Sequence, residues 1–306
     1  MRAWLAVCFV ANFVVGAALA QTPAPTRAPL ETPDTLATVP FERLTDKALT
    51  VDGRRALAIR PGEWKHAETE HFVLHFFRTF IAAPVSVEAE FYYRYILADL
   101  GASQQTRTYA GGGGKTHIYL FESREDWVEF RKAAFLESWT GAVHIDGALF
   151  VPRYPEFKWK GNALGHEISH LMVKLFVGTR LPLWLSEGYA EDVSSRGNSA
   201  FYRARGYLAR PMELMAPGYM PLARLTSLTA YPPEAEIKTF YRESRSLAAF
   251  MSSEGNKARF LKMFTAMAQG APFSLAWKEV YGSRWLSLDA MELEFKKYLE
   301  QNENGS

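Results

Sequence analysis

Apolar and polar positions along this chain follow two different rhythms, and the switch between them divides it. Between residues 71 and 153 the apolar runs are short. HFVLHFF (71–77), KTHIYLF (115–121) and GALFVPR (147–153) are rich in aromatic and β-branched residues and predict strands. SVEAEFYYRYILADLG (86–101) predicts a helix with Ser86 as N-cap and Gly101 as stop. SREDWVEFRKAAFLE (123–137) predicts another, with Ser123 and Asp126 placed as a capping box. Beyond residue 160 nearly every segment has helical spacing. In GNALGHEISHLMVKLF (161–176), Leu164, Ile168, Leu171, Met172 and Leu175 form one apolar stripe. LPLWLSEGYAED (181–192) starts a second helix after a turn at Gly178, with Pro182 suited to its first position. Strands first and helices afterwards predict an α+β domain, a small mixed sheet followed by a helical C-terminal part.

The N-terminal 62 residues fit neither rhythm. Residues 1–20 join Arg2 to the apolar stretch LAVCFVANFVVGAA and end in ALA before Gln21, the pattern of a cleaved export signal; an uncleaved membrane anchor is the alternative. On either reading the folded part is expected outside the cytoplasm, periplasmic or secreted. Residues 21–62 carry Pro23, Pro25, Pro29, Pro33 and Pro40 and predict an extended linker, which leaves 63–301 as one domain. At 48% hydrophobic and 14% aromatic residues, the chain can build a packed core. Its only cysteine, Cys8, lies in the apolar stretch, so the exported part has neither disulfides nor a thiol nucleophile. With 35 basic and 33 acidic residues and no basic run, nucleic acid is not an expected partner.

Two motifs are decoys. Gly114-Lys115-Thr116 resembles the end of a phosphate loop, but Tyr109 replaces the first glycine and a strand follows instead of a helix. His71 and His75 stand four apart with no acidic third ligand evident nearby, so they are expected as core or surface histidines.

A third pair, in the 161–176 helix, has the chemistry that the second lacks. His166 and His170 lie off the apolar stripe, one turn apart, so their Cβ atoms are ~5–6 Å apart. Two imidazoles so placed can share one cation at Zn–N distances of ~2.0–2.1 Å. Glu167 is turned away from the ligand position and is placed to meet a water held by the metal. Glu187 follows His170 by 17 residues on the second helix. At that separation two antiparallel helices can bring His, His and Glu around one ion and leave a fourth position for water.

His166-Glu167-x-x-His170 with Trp184-Leu185-Ser186-Glu187-Gly188-Tyr189-Ala190 resembles the gluzincin metallopeptidases, the superfamily of thermolysin and the M1-type aminopeptidases, and most closely the bacterial peptidase MA-like domains. The resemblance implies a zincin-like fold with an edge strand before the histidine helix. It implies Zn²⁺ held by His166, His170 and Glu187, Glu167 as general base, and a peptide or protein substrate. It places Glu191, in place of the usual Asp, on the free nitrogen of His166. Tyr241 would offer a phenol to the oxyanion, or else serve as a core residue. Aminopeptidases of this kind carry on the edge strand a glutamate that binds the substrate's amino terminus. With GALFVPR as that strand, Phe150 stands at the position, so endopeptidase action is expected unless Glu156 or Asp146 supplies the charge. A zinc-binding interaction module without activity, and a zinc hydrolase of a non-peptide amide, remain as alternatives.

Overall fold

A computed structural model describes residues 36–102, 114–138, 140–157, 161–178, 181–207, 218–253 and 256–303. The expected export signal, the start of the linker and most of the glycine run before Lys115 lie outside the described residues. Among those residues, no helix is long and apolar enough to cross a membrane.

The protein is α+β. Five strands form one mixed sheet: β1 (Lys65–Glu68), β2 (Phe72–Phe76), β3 (Thr116–Phe121), β4 (Val143–Ile145) and β5 (Ala148–Pro152), in the order β1-β2-β3-β5-β4. The outer pairs are antiparallel, and β2-β3 and β3-β5 are parallel. The three central strands are buried on both faces, and their period of two sorts the side chains into separate cores. Phe72, Leu74, Ile118, Leu120, Leu149 and Val151 join the large core, which also takes in the long helices; Tyr119, Phe121, Ala148 and Phe150 join a smaller one on the opposite face.

The helices are α1 (Val51–Ala58), α2 (Thr79–Asp99), α3 (Arg124–Ala133), α4 (Ala163–Phe176), α5 (Leu183–Ala204), α6 (Leu222–Ser227), α7 (Glu234–Ser252), α8 (Lys257–Ala268), α9 (Phe273–Tyr281) and α10 (Leu288–Glu303). Ser123 caps α3 as expected, accepting from Asp126 N. Gly101 ends α2 at φ 60°, with Ala102 N bonded back to Leu97 O. The start of α2 is different. The helix begins seven residues before Ser86, whose hydroxyl instead donates to Ala83 O inside it. Ala82, Ala83 and Val85 are buried there, so packing overrides both the Ser signal and Pro84.

The expected linker is also corrected from residue 36 onward. Val39 bridges to His66, Phe41–Arg43 form a 3₁₀ turn, and α1 starts at Val51, capped by Thr50 accepting from Gly53 N. Ala56 and Ile59 enter the smaller core beside Tyr119. This strap also covers a row of imidazoles drawn from three strands. His66 Nδ1 lies 2.7 Å from His75 Nδ1, and His75 Nε2 lies 2.8 Å from His117 Nδ1. Asp46 ends the row, 3.9 Å from His117 Nε2, and Phe41 stands edge-on to His66.

Candidate metal centre

Helix α4 buries the expected stripe, Leu164, Ile168, Leu171, Met172 and Leu175. It ends at Gly178, φ 71°, whose N–H returns to Val173 O. Pro182 is the N-cap of α5, one position earlier than expected, and its carbonyl accepts from Leu185 N and Ser186 N. Two glycines let backbones approach closely. A Cβ on Gly165 would overlap the Tyr92 ring of α2, and one on Gly188 would overlap Ser244 O of α7.

This packing brings His166, His170 and Glu187 together. His166 Nε2 is 3.2 Å from His170 Nε2 and 3.3 Å from Glu187 Oε2, and His170 Nε2 is 3.6 Å from Glu187 Oε1. A tetrahedral ion with bonds of ~2.0–2.1 Å requires ligand atoms about 3.3–3.4 Å apart. The three separations fit that figure, and the donor set, two imidazoles and a carboxylate, is one that suits zinc.

Glu191, buried, places Oε1 3.2 Å from His166 Nδ1, as an ion-pair contact rather than an aligned hydrogen bond. Its other oxygen lies 3.5 Å from Asn162 Nδ2, which also donates to Ser194 Oγ at 2.8 Å. Ser186 Oγ stands 3.2 Å from His170 Nδ1, so the outer nitrogens of both histidines face polar groups. Tyr231 donates to Glu187 Oε1 at 2.9 Å, and the Tyr241 hydroxyl is hydrogen-bonded to that of Tyr231. Tyr241 thus reaches the site, but through a second phenol.

Glu167 stands apart from the three donors. Its Oε2 accepts from the backbone N–H of His144 on β4 at 3.0 Å. Burial pushes its carboxyl up to about 7. Burial also pushes His170 down to about 4, with His166 adding to the effect. At His166 burial opposes the charge, yet the neighbouring carboxylates of Glu187 and Glu191 hold it well above the ordinary imidazole value. Burial opposes charge on Glu187 too, but His166, His170 and Tyr231 outweigh it and keep this carboxyl below its usual range.

No family model matches this chain, and no curated protein matches it. The assignment rests on the site itself.

All six expected residues, His166, Glu167, His170, Glu187, Glu191 and Tyr241, come together here. Phe150 does not. β5 is an interior strand, and Phe150 is buried in the smaller core, stacked on Tyr119 and Phe130. The edge strand is β4, joined to β5 by a two-residue turn of Asp146 (φ 50°) and Gly147 (φ 89°). That Asp-Gly pair between apolar residues is a strong hairpin signal that the sequence reading passed over, and it could have pointed to β4 as the edge strand. His144, Ser186, Tyr231 and Asn162 carried no comparable signal. The dismissal of His71 is corrected in part, because two carboxylates do converge on it. His71 Nδ1 is 2.8 Å from Glu90 Oε2 and its Nε2 is 3.6 Å from Glu70. Arg94 already lies 3.4 Å from both carboxylates, so an ion-pair network accounts for the cluster. His75 belongs to the imidazole row.

Proposed function

We propose that this protein is an exported zinc-dependent peptidase of gluzincin type with a zincin-like fold. The observation that carries the proposal is the set of three ligand-atom separations, together with a carboxylate held just outside them. Bound Zn²⁺ supplies a Lewis acid for the scissile carbonyl and makes water acidic enough to lose a proton near neutrality. His166, His170 and Glu187 hold the ion. The backbone N–H of His144 fixes one oxygen of Glu167, which leaves the other to accept the proton of the attacking water and return it to the departing amine. Glu191 and Ser186 orient the two imidazoles from behind. Tyr231 holds Glu187 by donating to its Oε1, and the phenol of Tyr241, bonded to Tyr231, is the donor that would serve the carbonyl oxygen as it gains charge.

The endopeptidase mode now rests on β4. That strand and its approach, residues 140–145, contain no carboxylate to pair with a free amino terminus. An extended peptide could therefore run past the site in either direction. The N-terminal apolar stretch supports action outside the cytoplasm.

The experiment combines metal analysis with cleavage of one peptide in free and N-acetylated form. One zinc per chain is expected, lost in His170→Ala. Glu167→Gln should keep zinc and cleave about 10²–10⁴-fold more slowly. Internal cuts in both peptides support the endopeptidase mode, and loss of single residues from the free peptide alone overturns it. Full zinc occupancy in His170→Ala would refute the metal centre.

A further inference from the structure

A second site lies among the C-terminal helices. A cavity of about 300 Å³ opens between α5, α7, α9 and α10, lined by Trp184, Met251, Phe273, Trp277, Leu288 and Lys278. Its lining is almost wholly apolar. Two features are out of keeping with a simple packing gap. Trp184 is 1% exposed, yet its Nε1–H has no acceptor among the described residues. A buried indole N–H without a partner is costly, and indoles in cores normally find one. Lys278, exposed at the mouth, makes no ion pair among the described residues. A dry cavity half this size accepts a benzene ring, so this one has room for about two fused rings or a short acyl chain. The cavity size is also at the lower bound of small-molecule sites, about 300–1,000 Å³, whose few polar groups fix orientation.

We propose that this cavity binds a small carboxylic acid with an apolar body, an aromatic or acyl monocarboxylate. The body fills the space between the four helices, the carboxylate meets Lys278, and the indole N–H of Trp184 donates to a ligand oxygen. Trp184 stands one turn before Glu187 on α5, so an occupant would touch the helix that carries the third metal donor.

The test uses the full chain and naphthalene-2-carboxylate as probe, followed by calorimetry and by tryptophan fluorescence, since two indoles line the cavity. One saturable site per chain is expected. Naphthalene-2-carboxamide should bind about fivefold more weakly, as should the acid to Lys278→Ala and to Trp184→Phe, the range set by an exposed ion pair and one hydrogen bond. Leu288→Trp, at the half-buried rim, should abolish binding by filling the space. Because Lys278 and Leu288 are not core residues, these two variants stay informative if Trp184→Phe fails to fold. No saturable binding up to about 1 mM, or equal binding to Lys278→Ala and Leu288→Trp, would overturn the site. Equal affinity for acid and amide would overturn the carboxylate assignment.

Discussion

Single side chains around the candidate metal centre divide into those that touch the three donors and those to which the proposed function gives a part in handling charge. Tyr231 and Tyr241 sit in one hydrogen-bonded line yet belong to different groups, because only Tyr231 touches Glu187. Tyr231→Phe should therefore weaken zinc affinity by up to about tenfold, the lower range for a group that orients a ligand. Tyr241→Phe should leave zinc in place and lower kcat by about 10²-fold if its phenol serves the oxyanion. Titration with a chelating dye beside steady-state kinetics separates the two, and a normal kcat in Tyr241→Phe would return that residue to a purely structural role. Glu191→Ala, by releasing the ring of His166, should cost about 10–100-fold in metal affinity, read by the same dye.

At the scale of elements, His166, His170 and Glu187 are positioned by how closely α4 and α5 approach their neighbours α2 and α7. Gly188 sits beside Glu187 on α5 and faces Ser244 O on α7, where a side chain has no room. Gly188→Ala should cost about 1–3 kcal/mol, an overpacking penalty, and lower Tm by several degrees. Thermal unfolding with and without zinc checks this, and an unchanged Tm would mean that α5 and α7 can separate freely. The helices with complete apolar stripes were legible in the sequence, as were the strands with clear alternation, because burial of one face forces the period. The pairing of His166 with His170 was legible for a related reason, since residues four apart on a helix have no choice but to share a face. Harder to read were features that depend on distant partners. Ser86 looks like a cap but is buried by α2's own extension, and the strap before β1 reads as linker because its buried apolar residues are few and scattered: Leu44, Ala56, Ile59 and Trp64. Tyr231 is 44 positions from the carboxylate that it touches, and only the fold brings them together.

For the whole molecule, the imidazole row ties the strap to the sheet and makes stability depend on acid. Burial lowers His66, His75 and His117 below the ordinary imidazole value, His75 well below it. Between the folded values and about 6.5 the unfolded chain binds more protons than the folded one, so stability rises with pH across that window and falls on acidification. The contribution is complete above about pH 6.5 and shrinks below it. Urea midpoints at pH 7.5 and 5.0 should show a smaller loss in His75→Gln than in the native chain; equal losses would assign acid sensitivity to other groups. A different consequence follows from β4, which ends the sheet with one side unpaired. An open strand edge is a template on which identical chains can pair and aggregate. β4 is only three residues long, and Glu167 occupies the N–H of its middle residue. The carboxylate that we assign to proton transfer therefore also occupies a backbone donor that a second strand would need for pairing. Glu167→Gln retains a carbonyl acceptor and should stay monodisperse, whereas Glu167→Ala frees the His144 N–H and should scatter more light on concentration. Loss of the acceptor at residue 167, rather than loss of its charge, is therefore the change expected to open the sheet edge.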